Sequence, residues 1–244
     1  MTPRHAAMEI RQLFDPHSST YSYLVWDAAT RDAALIDPVL DQAARDIRLV
    51  RELGLTLRYT METHVHADHV TGSGLLRKTL NSIVLLHENS GSKCADVLLK
   101  DADRIPLGTG RIGVMHTPGH TGCDVSYCLP GIAFTGDSLL IRGCGRTDFQ
   151  SGDAGTLYDS ITQRLFRLPD ETIVYPGHDY SGRSHSTIGE EKAYNPRLGN
   201  GTTRDEFISV MNHLRLDPPR YLHKALPSNL RCGLSDTDSM LARG

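Results

Sequence analysis

The chain has 244 residues, 39% of them hydrophobic, enough to bury a substantial core. Its formal net charge of −3 comes without long runs of lysine or arginine, which argues against a nucleic-acid surface. No apolar run reaches the length of a membrane span and the segment Met1–His5 lacks an apolar signal core, so a cytoplasmic protein with no membrane partner is expected.

Taken along the chain, Ser22–Trp26 and Ala33–Asp37 read as short strands. Asp41–Leu53 reads as a helix, with Ala43, Ile47 and Val50 on one face and Gly54 as its stop. The strand-like run Leu57–Met61 leads into His64-Val65-His66-Ala67-Asp68-His69. Ser82–His87, Arg111–His116, Gly131–Thr135 and Thr172–Tyr175 are four further strand candidates. Asp153–Leu168 is predicted as a second helix, with Leu157, Ile161, Leu165 and Leu168 at helical spacing. A third is predicted over Phe207–Leu214, where Thr203 and Glu206 have the spacing of a capping box. Strands alternating with helices give an α/β fold, with helices covering sheet faces.

Chemistry collects where strands end. Four metal-capable side chains stand within the six residues His64–His69. Imidazole nitrogen and carboxylate oxygen together suit iron, zinc or manganese. Residues two apart point to opposite sides of a helix, so His64 and His66 require a strand end or loop to face one ion. Three later strand ends repeat the arrangement. Arg111–His116 runs into Thr117-Pro118-Gly119-His120, Gly131–Thr135 into Gly136-Asp137, and Thr172–Tyr175 into Pro176-Gly177-His178. Each strand fixes a position, and each glycine lets the loop approach closely.

Five cysteines (Cys94, Cys123, Cys128, Cys144 and Cys232) form no Cys-x-x-Cys pair and are odd in number. Reduced thiols are expected, and no cysteine is assigned a catalytic role. His5, His17, His87, His116, His185, His213 and His223 stand outside the ligand pattern.

The stretch H-x-H-x-D-H followed by His120, Asp137 and His178 resembles the metallo-β-lactamase superfamily. That resemblance implies an αββα sandwich over residues 1–244 as one domain, two mixed sheets face to face with helices outside. A C-terminal helical segment at about 185–244 would pack on it. In two-metal members the pattern implies His64, His66 and His120 on one ion, Asp68, His69 and His178 on the other, and Asp137 between them.

Further stretches are similar to the glutathione persulfide dioxygenase branch: Thr63–Gly74, Gly136–Gln150, His178-Asp179-Tyr180, Asn195–Leu198 and Arg231-Cys232-Gly233. Gly-Cys-Gly-Arg-Thr-Asp-Phe-Gln, residues 143–150, is the most specific, because the metal pattern alone does not demand it. The resemblance implies one Fe(II) per chain on His64, His120 and Asp137, with glutathione persulfide and O2 as substrates and sulfite and glutathione as products. His66, Asp68, His69 and His178 then serve as outer partners or as ligands of a second metal. Arg146, Tyr180 and Arg197 would surround the glutathione moiety, whose carboxylates an arginine fork grips well. A binuclear thioester hydrolase of the hydroxyacylglutathione type is the runner-up, and a metal-dependent binding or sensing protein a third reading. Family habit suggests a homodimer.

Overall fold

The computed structural model describes residues 8–217 and 221–234. Two mixed six-stranded sheets, with helices, form an α/β fold. The chain divides into two compact units. One comprises Met1–Leu99, Arg104–Ile112 and Pro218–Gly244, and the other Lys100–Asp103 and Gly113–Asp217.

In the first unit, six strands follow one another across a sheet in chain order: β1 (Met8–Asp15), β2 (Thr20–Asp27), β3 (Asp32–Ile36), β4 (Thr56–Met61), β5 (Ile83–His87) and β6 (Val97–Leu99). The first three pair antiparallel and the last three join in parallel. A parallel neighbour requires a crossover; α1 (Ala43–Glu52) and α2 (Ser73–Leu80) supply the first two, and the segment between β5 and β6 the third. Leu24, Trp26, Leu35, Val50, Leu57 and Leu76 close the core of this unit. The helix predicted over 41–53 forms as a short 3-10 turn followed by α1, with Gly54 beyond it at φ +61°.

Asp27, at the end of β2, accepts hydrogen bonds from the Thr109 hydroxyl (2.6 Å) and from the N–H groups of Thr109 (2.6 Å), Ala29 (2.7 Å) and Thr30 (3.1 Å). The Thr109 donors, more than offsetting burial, hold the carboxyl at about 2. A depressed folded value means a stabilisation present above the ordinary carboxylate range and lost as pH falls through about 2. Thr109→Val is expected to raise that value and start acid unfolding at a higher pH. Circular dichroism along an acid titration checks this, and coincident curves would contradict it.

One disulfide corrects the expectation of reduced thiols: Cys94 and Cys232 are bonded, 138 residues apart in sequence. A bridge across so long a loop leaves no local spacing to read. By the chain-entropy account it favours the fold by roughly 5 kcal/mol. Cys123, Cys128 and Cys144 remain thiols. Burial pushes those of Cys128 and Cys144 up to about 11, so neither is a thiolate at neutral pH.

The second sheet has the order β12-β11-β10-β9-β8-β7. Its members are β7 (Arg104–Leu107), β8 (Gly110–His116), β9 (Val125–Leu129), β10 (Ile132–Gly136), β11 (Ile173–Pro176) and β12 (Ser186–Thr187). In the second unit, α3 (Ala154–Gln163), α4 (Ile188–Tyr194) and α5 (Arg204–His213) pack Leu157, Ile161, Ile188, Phe207 and Met211 into one core with Leu139 and Val174. Thr203 and Glu206 form the predicted capping box ahead of α5. The helix predicted over 153–168 stops at Gln163. Arg164 leaves helical geometry (φ −121°) with its guanidinium on the His116 carbonyl (2.6 Å) and the Asp101 carboxylate (2.8 Å). Within the segment at about 185–244, expected to be helical, α4 and α5 lie in this unit and α6 (Leu222–Asn229) in the first. Residues 218–220 and 235–244 of that segment, and His5, lie outside the described residues.

Candidate metal centre

In the first unit, β4 ends at Met61 and the chain turns through Glu62–Val70 before α2. Asp37, just past β3, organises the turn. Its Oδ1 accepts from Thr63 N–H (2.7 Å), its Oδ2 from the Thr63 hydroxyl (2.8 Å), and Thr63 Oγ1 lies 3.0 Å from His64 Nδ1. His66 Nε2 lies 3.1 Å from Asp37 Oδ1 and 3.3 Å from Glu62 Oε2. Burial alone would push this imidazole down, but the two carboxylates outweigh it and hold His66 well above its ordinary value. His66 Nδ1 is buried with no hydrogen-bond partner among the described residues.

His69 repeats the pattern. Its Nδ1 is 2.9 Å from Asp68 Oδ2, and its buried Nε2 has no hydrogen-bond partner among the described residues. Thr20 also donates to Asp68, at 3.1 Å. The rings of His64, His66 and His69 are neighbours, with centroids 4.0 and 4.3 Å apart. Ligand-type atoms of His66, Asp68 and His69 all lie within 4.8 Å of one another. Crowded imidazoles with orphaned, buried nitrogens are costly as they stand, and a cation resolves that cost.

In the second unit, parallel pairing of β10 with β11 places Gly136 opposite Pro176, so the loops that follow carry Asp137 and His178 side by side. Asp137 Oδ1 is 3.7 Å from His178 Nε2, and Asp137 Oδ2 is 3.6 Å from His120 Nε2. These separations exceed a hydrogen bond, whereas two ligands each about 2.1 Å from one ion lie roughly 3 to 3.6 Å apart. Asp137 Oδ1 is buried without a hydrogen-bond partner among the described residues. His120 Nδ1 lies 2.7 Å from the Arg146 carbonyl, which fixes the proton on Nδ1 and leaves Nε2 as the lone-pair nitrogen. The donor sets and orphaned atoms of both units therefore fit a metal.

Glycine is required where the backbone crowds these ligands. A Cβ on Gly145 would sit 2.6 Å from the Asp137 carbonyl oxygen and 2.8 Å from the His120 ring, and one on Gly177 would sit 2.6 Å from Asp137 Oδ1. Asn195 donates to the Gly143 carbonyl (3.0 Å) and Arg197 to that of Cys144 (2.9 Å). The Asn195–Leu198 motif thus holds the Gly143–Gln150 loop in place, and Arg197 acts on that loop. Arg146 grips Asp148 through Nε (2.6 Å) and Nη2 (2.7 Å), and the Asp217 carbonyl through Nη1 (2.7 Å). Tyr180 is 76% exposed, its ring parallel to that of His178 at 6.0 Å.

Sequence reasoning missed four residues here, of three kinds. Asp37 and Glu62 carry no ligand spacing, and Asn229 approaches the first loop from 160 residues away. Asp124 is the third kind of case: it accepts from the Thr121 hydroxyl (2.8 Å) in the turn after His120, and burial lifts its carboxyl to about 6.

The chain belongs to the metallo-beta-lactamase superfamily, whose model matches residues 16–178, and within it to the family of the persulfide dioxygenases. It is 47% identical to the mitochondrial persulfide dioxygenase ETHE1 of Bos taurus, over 96% of this chain and 92% of that protein. The Homo sapiens counterpart is 46% identical over 94% of this chain and 90% of its own length. The crystal structure of ETHE1 from Myxococcus xanthus matches with a TM-score of 0.90 at 52% identity, covering 93% of this chain and all (100%) of that one.

Proposed function

We propose that this chain is a mononuclear iron persulfide dioxygenase, converting glutathione persulfide, O2 and water into glutathione and sulfite. The likeness to persulfide dioxygenases across 96% of the chain carries the reading. The ligands are His64, His120 and Asp137, a two-histidine, one-carboxylate set that suits ferrous iron and leaves positions open. Bound there, iron supplies the redox chemistry toward O2 that zinc lacks.

The chain's own residues orient and hold. The Arg146 carbonyl keeps His120 in one tautomer. His66, Asp68, His69 and His178 act mainly as outer partners, since Asp68 is committed to His69 and Thr20, and His66 Nε2 to Asp37 and Glu62. Exposed Tyr180, stacked on His178, offers a ring edge to the glutathione moiety. Arg197 contributes by fixing the loop at Cys144. Arg146 binds a glutathione carboxylate by exchanging Asp148 for it. The same reading carries a homodimer and a cytoplasmic location, which sedimentation and cell fractionation check. No helix among the described residues is long and apolar enough to cross a membrane.

Metal analysis followed by oxygen electrode traces tests the assignment. About one iron per chain is expected, with O2 uptake on adding glutathione persulfide and sulfite formed in step. Two metals per chain would overturn the outer-partner roles, and iron-loaded protein with no O2 uptake would overturn the activity. Arg146→Ala is expected to raise KM for glutathione persulfide about tenfold with iron content unchanged, because the backbone carbonyl that holds His120 survives the substitution. An unaltered KM would remove Arg146 from the substrate site.

A further inference from the structure

A second buried side chain, besides Asp37, braces the ligand loop of the first unit. Asn229, the last residue of α6, donates from Nδ2 to the carbonyls of His66 and His69, both at 2.8 Å, and its Oδ1 accepts from Thr71 N–H at 2.8 Å. It is 3% exposed. One amide therefore pins the backbone at two histidines of the His64–His69 stretch and at the residue that leads into α2. No glutamine, serine or alanine reproduces three bonds with that reach.

The segment after Asn229 is anchored by the disulfide. Cys232 follows three residues on and is bonded to Cys94. Lys93 N–H reaches the Leu230 carbonyl at 3.1 Å, and Gly74 N–H the Cys232 carbonyl at 2.9 Å. Gly233 lies so close to Thr71 that a Cβ would stand 2.0 Å from its carbonyl oxygen. His64, His66, Thr71, Asn229 and Cys232 all line one narrow cleft.

We propose that Asn229 is a positioning residue for the ligand loop and that the Cys94–Cys232 disulfide sets how firmly it acts, so that metal retention responds to thiols. The inference rests on the loop being a metal loop and not on which substrate is oxidised. Cys94 is half-buried and Cys232 is buried at 1% exposure, so an entering thiolate attacks Cys94 Sγ. The S–S bond breaks, Cys232 leaves as a thiolate and takes a proton. A second thiol then attacks the mixed disulfide, releasing reduced Cys94 and the oxidised disulfide of the reductant. Two electrons pass from two small thiols, a class that includes the glutathione the proposed reaction releases. The strap then loses its covalent tie to Cys94 and keeps its hydrogen bonds and packing.

The experiment follows metal release from the purified holoprotein into a chromophoric chelator under argon at 25 °C. Four forms are compared: oxidised wild type, wild type reduced with dithiothreitol and then desalted, Cys94→Ser, and Asn229→Asp. The last keeps an acceptor for Thr71 N–H but loses both donors to His66 and His69 without a change of size. Reduction and Cys94→Ser are each expected to speed release about tenfold, Asn229→Asp by at least as much, in the range that loss of an outer partner causes. Dithiothreitol is expected to change nothing further in Cys94→Ser. Asn229→Ala, with melting followed separately, serves if the aspartate variant fails to fold. Equal release from oxidised and reduced wild type would overturn the disulfide's part. Equal release from both Asn229 variants and wild type would overturn the positioning role. A wild type that binds no metal at all would overturn the metal reading itself and this inference with it, an outcome distinct from the other two.

Discussion

Asp137→Ala is expected to abolish metal binding and O2 uptake while leaving the fold intact. The carboxylate stands between His120 Nε2 at 3.6 Å and His178 Nε2 at 3.7 Å, and it is the only anionic ligand in the proposed set. Without it two neutral imidazoles are left to hold the ion. Iron should fall below about 0.1 per chain and turnover by at least roughly a thousandfold, since an open site on two neutral ligands binds weakly. Stability should move the other way. Asp137 Oδ1 is buried with no hydrogen-bond partner among the described residues, so the metal-free wild type carries a desolvation penalty that alanine removes. The backbone bond from Gly145 N–H to the Asp137 carbonyl, at 2.7 Å, survives the change. Melting curves of the two apoproteins are therefore expected to place the variant at or above wild type. A variant that retains iron and turnover would remove Asp137 from the ligand set.

Gly145→Ala is expected to damage the same site while every proposed ligand residue is kept. Its Cβ would meet the Asp137 carbonyl oxygen at 2.6 Å and the His120 ring at 2.8 Å. Neither neighbour is the far end of a flexible side chain, so the loop must move. That movement pulls the Arg146 carbonyl away from His120 Nδ1 and releases the ring from its fixed tautomer. We expect metal affinity to fall about 10- to 100-fold, as for loss of an outer partner. Stability should drop by roughly 1 to 3 kcal/mol, the usual result of overpacking. Competition with a chelator and urea unfolding measure the two effects. A variant that binds metal as wild type does would show that the loop yields freely.

Much of this was legible because strand ends and glycines leave a local record. The Gly-His and Gly-Asp turns after β8, β10 and β11 are written within a few consecutive residues, and those turns carry His120, Asp137 and His178. The capping box at Thr203 and Glu206 is equally local, and it formed. What could not be read depends on partners far along the chain. Residues 164–168 keep helical spacing, yet Arg164 is drawn out of the helix by Asp101 and His116. α2, absent from the predicted elements, begins at Ser73-Gly74 and is held there by Leu76 in the core and by the Cys232 carbonyl. Asp37 and Glu62 look like ordinary carboxylates until the fold buries both beside His66. Nor does the sequence show that the Arg146 backbone carbonyl meets His120 while its guanidinium rests on Asp148 and two carbonyls.

The hydrogen bonds around Asp37 also have a direction. A carboxylate can only accept, so the Thr63 hydroxyl must spend its single proton on Asp37 Oδ2. The Thr63 oxygen then faces His64 Nδ1 at 3.0 Å as an acceptor, so that nitrogen must carry the ring's proton. His64 Nε2 is left with its lone pair outward, the form an imidazole needs to bind a cation. An amide at position 37 would offer protons where the carboxylate offers none, and the sequence of donors could run backwards to the ring. Asp37 thus decides which nitrogen of His64 is free to face a cation, acting as a valve for proton placement set just past the end of β3.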